Sequence, residues 1–170
     1  VLGDRVRMGG HYGDPGVFIR SMATRGHLGG LSRATSDVAL VLDAAGKDVV
    51  IIETVGVGQD EVDIVRTADI SVVVLVPGTG DEVQALKAGI MEIADVFVVN
   101  KADRDGADRL VESVAGTLSL QAFEPGKWRP PIQKTVATVG TGVSELLEAV
   151  QAFRTHSADA RTSRQHVRQE

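Results

Sequence analysis

The sequence predicts an α/β fold with a doubly wound, mainly parallel sheet, and three observations carry that prediction. The strongest apolar segments, residues 49–52, 70–76 and 96–99, are short, continuous apolar runs rather than alternating ones. Strands with that pattern are covered on both faces, as in parallel sheets flanked by helices. Segments of helical period lie between them, and regular strand–helix alternation builds a parallel sheet. The 170 residues are 43% hydrophobic and only 4% aromatic, so one domain with an aliphatic core is expected. Residues 1–157 are assigned to that domain and residues 158–170 to a polar helix or tail.

Each element has its reason in local chemistry. Residues 17–20 can form a short strand. Ser32 can cap a helix running to Ala45, with Val38, Leu42 and Ala45 on its apolar face and Gly46 as its stop. After the strand at 70–76, Asp81 opens a helix to Ala94, in which Val83, Leu86, Ile90 and Ile93 repeat at helical spacing. After the strand at 96–99 comes a helix over 105–120. Residues 124–131 (EPGKWRPP) hold three prolines and a glycine, which forbid a regular element. A weaker fourth strand at 132–137 leads to a last helix over 143–154, with Leu146, Leu147, Val150 and Phe153 inward. Beyond it the chain is polar and rich in Arg and Gln, as in a frayed helix or tail.

Composition excludes several function classes. The formal charge is −5, whereas nucleic-acid and anionic-membrane binders need a basic surface. There is no cysteine, hence no disulfide framework, thiolate metal site or cysteine nucleophile in these residues. That suits a reducing compartment, and the expected location is cytoplasmic. No apolar run reaches the ~20 residues of a membrane helix. The chain opens Val1-Leu2-Gly3-Asp4, without Met or a signal segment, and reads as cut from something longer. The histidines His11, His27, His156 and His166 show no ligand spacing.

The chemistry sits just past the carboxyl ends of the strands, where ligands bind in such folds. After 96–99 comes Asn100-Lys101-Ala102-Asp103. Guanine offers two donors on one edge, and the Asp103 carboxylate can accept both. Adenine offers no such pair, so a buried carboxylate would be left unpaired against it, which is the strong form of discrimination. Asn100 can donate to N7 and tie the loop to its neighbours, and the Lys101 stem can lie over the base. After 49–52 comes Glu53-Thr54-Val55-Gly56-Val57-Gly58-Gln59. Glu53 at a strand tip can hold Mg²⁺ directly or through water. Gly56 lets its N–H approach a γ-phosphate with no Cβ in the way. That contact would be lost on hydrolysis, making the next loop a switch.

Together these stretches, with residues 77–90 (PGTGDEVQALKAGI), resemble the MeaB/ArgK family of P-loop GTPases. Similar too are residues 2–8, 26–31 and Trp128-x-Pro130-Pro131. The resemblance covers residues 1–157 and implies a P-loop NTPase domain of the SIMIBI type. It implies GTP and GDP as ligands, Mg²⁺ as cofactor, and GTP hydrolysis. It also implies a chaperone role for an adenosylcobalamin-dependent methylmalonyl-CoA mutase or related acyl-CoA mutase, and commonly a homodimer.

Within that resemblance, Asp4 corresponds to a second acidic residue near Mg²⁺ and Arg7 can face the phosphates. Gln59 is a candidate for orienting water. Ala137 and Thr138, with Gly140 and Gly142, fit the turn that closes over guanine O6. Asp81, Glu82, Gln84 and Lys87 correspond to a segment that signals nucleotide state to the mutase; a solvated helix start explains them equally well. The phosphate loop G-x-x-x-x-G-K-[ST] is absent: Gly46-Lys47 is succeeded by Asp48, and Gly126-Lys127 by Trp128. In the family that loop lies upstream, before Val1 here, so residues 1–170 alone should hydrolyse no GTP. The alternatives are a nickel-metallochaperone GTPase and a non-catalytic interaction module of the same fold.

Overall fold

A computed structural model describes residues 6–22, 34–54, 62–78, 90–124 and 126–167. The chain forms two compact units, Val1–Ala68 and Asp69–Glu170. In the first unit a 3-10 turn, Met8–His11, precedes helix α1, Thr35–Ala44, and helix α2, Val62–Thr67. Gly46, at φ +78°, ends α1. Its N–H donates to Asp43 O and the Lys47 N–H to Leu42 O, the Schellman arrangement that satisfies the last carbonyls. The Lys47 ammonium then reaches back to Gly16 O at 2.6 Å and Pro15 O at 3.3 Å.

The second unit holds the sheet. Strands β1 (Val72–Leu75), β2 (Val96–Asn100) and β3 (Ile132–Thr135) lie in that order and all run parallel. Val72 stands opposite Val96, and Asn100 opposite Thr135. β2 is the middle strand, and Val96 to Val99 are buried on both faces, as its continuous apolar run requires. Helix α3, Ile90–Ile93, precedes β2; helix α4, Ala107–Ser119, comes after it; helix α5, Val143–Val167, comes after β3. On α4, Ala107, Leu110, Val114 and Leu118 form one buried stripe at helical spacing. They close a core with Leu75, Met91, Ala94, Phe97 and Val99. Each fully buried aliphatic side chain there contributes about 1.5–3 kcal/mol.

Several expectations need correction. Residues 49–52 form no strand, and Val49 and Ile51 are 74% and 87% exposed. A strand exists only by hydrogen-bonding a neighbour, and the described strands all belong to the second unit, whereas this run belongs to the first. Residues 17–20 form no strand either. The strand expected over 70–76 shortens to Val72–Leu75, because Ser71 bonds Asp95 instead. Helix α1 starts at Thr35, after Ala34, which gives no side-chain cap; Ser32 lies outside the described residues. Helix α5 continues past Arg154 to Val167. Leu147 on α5 is 69% exposed, while Ala149 is buried and Leu146, Val150 and Phe153 are half-buried. The inward face is thus 146, 149, 150 and 153, and Leu147 is turned about 100° from Leu146. Of the helix expected from Asp81, only Ile90–Ile93 is described.

At the amino ends of the strands, polar groups bind one another. Asp95 Oδ2 accepts from Ser71 N at 2.8 Å, and Asp95 N donates to Ser71 O at 2.9 Å. Burial pushes the Asp95 carboxyl above its ordinary range, partly opposed by that Ser71 N–H. Trp128 Nε1 donates to Asp95 O at 2.8 Å. Its ring meets Phe153 edge-on at 5.3 Å and His156 at 5.4 Å. His156 Nε2 in turn donates to Gly126 O at 3.0 Å. The loop 126–131 is therefore clamped between α5 and the turn before β2.

Candidate nucleotide site

The carboxyl ends of β2 and β3 carry the candidate site, built by two loops. The first begins at Asn100, the last residue of β2. Lys101 comes next at φ +58°, a left-handed conformation that costs a residue with a Cβ about 1–2 kcal/mol. Strain of this kind persists only where the surroundings enforce it. Here Ala102 N donates to Thr135 O at 3.0 Å and Arg104 N to Lys101 O at 3.0 Å, so the loop is held to β3 and folded on itself. Gly106 at φ +90° then starts α4. Asp108 sits in the first turn of α4, where a helix favours acid, and its Oδ1 takes the Lys134 ammonium at 2.7 Å.

The second loop leaves β3 after Thr135. Val136 N donates to Thr141 O at 2.9 Å, closing residues 136–141 into a narrow turn. Gly142, at φ +76°, lies so close to β3 that a Cβ there would run into the Lys134 carbonyl and press on Thr135 Cα.

Asn100 joins the two loops. Its Oδ1 accepts from Thr135 Oγ1 at 3.1 Å and from Ala137 N at 3.2 Å. Thr135 is buried at 3% exposure, so its hydroxyl is committed to that bond. With the oxygen so occupied, the Asn100 amide NH₂ has no partner among the described residues and is free to donate. Between the loops lies an open cavity of about 140 Å³, lined by Asn100, Lys101, Asp103, Arg104, Val136, Ala137 and Thr138. Lys101, Asp103 and Arg104 are exposed and make no ion pair among the described residues. The wall thus presents a free carboxylate acceptor and a free amide donor. It suits a flat ligand with donors on one edge and an acceptor on another.

The structure brings together five of the sequence-predicted residues: Asn100, Lys101, Asp103, Ala137 and Thr138. The Ala137 N–H is engaged by Asn100, while that of Thr138 takes no partner among the described residues. Glu53 and Arg7 belong to the first unit. Glu53 is exposed and without a partner among the described residues, and its carboxylate is a hard oxygen donor that suits Mg²⁺. Arg7 is exposed and lies just before Met8–His11. Asp4, Gly56, Gln59, Asp81, Glu82, Gln84 and Lys87 lie outside the described residues. Among the described residues no group of three or more His, Asp or Glu forms a metal centre. Nor is any described helix long and apolar enough to cross a membrane.

Three contributors escaped the sequence reading. Thr135 is found only through its register opposite Asn100. Arg104 lies one residue past the four-letter motif. The Asp108–Lys134 pair joins α4 to β3 across 26 residues. The polar end of the 132–135 strand was the one available signal, pointing to Thr135.

The family profile described as "Methylmalonyl Co-A mutase-associated GTPase MeaB" matches residues 1–170. A Pyrococcus horikoshii protein that carries a GTPase name is 60% identical over 156 residues, covering 91% of this chain and 49% of that protein. The Escherichia coli GTPase ArgK is 37% identical over 176 residues, 100% of this chain and 52% of the relative. The mouse methylmalonic aciduria type A homolog, mitochondrial, is 36% identical over 157 residues, 91% of this chain and 38% of the relative. The chain spans about half the length, or less, of these curated relatives. With the match running the whole length of the chain, and the Asn100–Asp103 loop facing the 136–138 turn, the chain belongs to the MeaB family of mutase-associated GTPases.

Proposed function

We propose that this chain is the guanine-reading part of a Mg²⁺-dependent GTPase that converts GTP and water to GDP and phosphate. One observation carries the reading: Asp103 stands unpaired on a cavity whose other wall is the 136–138 turn, with Asn100 fixed between them. Asp103 accepts from the ring N–H and exocyclic amine of guanine, the Asn100 amide donates to N7, and the Thr138 N–H faces O6. Phosphoryl transfer then needs positioning and charge more than covalent chemistry. Mg²⁺, when bound, offsets phosphate charge; Glu53 and Asp4 are the residues that would hold it, directly or through water. Gly56 offers its N–H to the γ-phosphate, Gln59 orients water, and Arg7 offsets developing charge.

The biological output in this reading is conformational. The family description names methylmalonyl-CoA mutase, which supports an adenosylcobalamin-dependent acyl-CoA mutase as partner. The protein would act as its chaperone, as a homodimer, with Asp81, Glu82, Gln84 and Lys87 relaying nucleotide state. Coupling of this kind is typically ~1–3 kcal/mol. The test is GTP turnover by the full-length protein with and without saturating mutase. Replacing Gln84 and Lys87 by Ala should leave basal turnover unchanged and lower the stimulated part about tenfold, for ~1.4 kcal/mol of lost coupling. Absence of stimulation in the parent protein would overturn the mutase partnership. Unchanged stimulation in the double variant would remove the relay from residues 81–87.

A further inference from the structure

A purine has two faces as well as its edges, and the edge-reading groups here leave the faces open. Asn100 and Asp103 supply the edge contacts. Of the remaining wall residues, Val136, Ala137 and Thr138 belong to the opposite loop, and Lys101 and Arg104 flank Asp103. We propose that Arg104 covers one face of the bound guanine, with its guanidinium plane stacked on the ring. The proposal rests on the guanine reading above and goes beyond it by adding a residue outside the motif.

Three observations support Arg104 in this role. Its backbone is pinned on both sides: Arg104 N donates to Lys101 O at 3.0 Å, and Arg104 O accepts from Ala107 N at 3.3 Å. That turn sets the residue on the cavity wall directly after the edge-reading carboxylate. Its side chain is exposed and makes no hydrogen bond or ion pair among the described residues, although acids surround it in sequence. Asp108, the acid in the first turn of α4, is taken by Lys134 at 2.7 Å instead. A guanidinium is planar, permanently charged and weakly hydrated, and it stacks on aromatic rings and nucleobases. Lys101 carries only a point charge on a flexible stem. Phosphates sit beyond the sugar, away from the base cavity, so Arg104 meets the base first.

The experiment compares the full-length protein with its Arg104→Ala and Arg104→Lys variants, measuring Kd for GTP, GDP and GMP and the melting temperature of each. Stacking predicts that Arg104→Ala weakens all three nucleotides by the same factor, about 3- to 30-fold. Arg104→Lys should restore little, because it returns charge without the plane. Melting temperatures should stay together, since the residue is exposed. A penalty that grows from GMP to GTP, or full rescue by Lys, would move Arg104 to the phosphates and overturn the proposal. Variants that match a guanine-binding parent would overturn it while leaving the guanine reading intact. A parent that binds none of the three would overturn both.

Discussion

The two ends of one small sheet differ in what they do with polar groups. At the amino ends, Ser71, Asp95, Trp128, Gly126 and His156 satisfy one another at 2.8–3.0 Å. At the carboxyl ends, Thr135, Asn100 and Ala137 form a short scaffold, and the side chains it presents, Lys101, Asp103 and Arg104, take no partner among the described residues. Both ends are loops built on the same three strands. A closed network spends its hydrogen-bonding capacity on the fold, whereas an open one keeps it for a ligand. Parallel strands add the direction, since helices and connections converge so that ligands meet the carboxyl ends.

Changes at either end should therefore read out differently. The largest effect is expected from Gly142→Ala. The positive φ and the Lys134 carbonyl in the path of a Cβ both oppose it. Together they should cost about 3–5 kcal/mol, at the exceptional end for one substitution. Denaturant unfolding checks the stability, and nucleotide binding should fail with it because the 136–141 turn must move. A stable, fully binding variant would show that the close approach is not needed.

A paired substitution sharpens the contrast. Thr135→Val removes the hydroxyl donor to Asn100 while keeping shape. It should lower guanine-nucleotide affinity about three- to tenfold, the equivalent of one modest hydrogen bond. Trp128→Phe removes the donor to Asp95 O and part of the packing on Phe153 and His156. It should cost about 1–3 kcal/mol of stability and leave nucleotide affinity within about twofold. Affinity and stability measured on both variants break the comparison if Trp128→Phe disturbs binding as much as Thr135→Val does.

The smallest effect concerns pH. The Asp95 carboxyl titrates higher in the folded protein than in the unfolded chain. The folded state then holds more protons, so this group's contribution falls as pH rises from the unfolded pKa, about 3.9, towards the raised folded value. Above that value it is constant. Asp95→Asn keeps an oxygen for the Ser71 N–H but cannot titrate, so its stability should lose that downward component. Unfolding free energies across this pH window, for parent and variant, check it; identical slopes would deny the effect of burial.

Much of the second unit was legible in sequence. The run at 96–99 reads as a strand because its burial on both faces leaves every residue apolar, and the 107–119 helix shows its stripe at 107, 110, 114 and 118. Gly46 was legible as a stop because only a left-handed residue closes that turn. The run at 49–52 is as continuously apolar as 96–99 yet forms no strand, since an apolar pattern records what a segment can bury and does not by itself supply the hydrogen-bonding partner that makes a strand. The expected site residues split along the same line. Asn100, Lys101 and Asp103 are contiguous and sit together by covalent necessity. Thr135 needs the β2–β3 register, which depends on contacts across 35 residues. Arg104 needed the fold of the loop after Asp103. Leu147 was misplaced because the buried stripe on this helix is centred on 146, 149, 150 and 153, and a step of 100° from Leu146 away from that centre carries Leu147 off its edge.

The central claim is that the carboxyl end of the sheet reads guanine through the Asp103 carboxylate. It is tested most directly by the ratio of GTP to XTP affinity in the full-length protein and in its Asp103→Asn variant. Xanthine presents an acceptor where guanine carries its amine, and an amide can donate where a carboxylate only accepts. The account predicts that the parent prefers GTP and that Asp103→Asn reverses the preference, with GTP affinity falling by about 10²-fold or more as the two guanine donors lose the carboxylate that accepted both. A variant that keeps the parent's GTP affinity, or binds GTP and XTP alike, would contradict it.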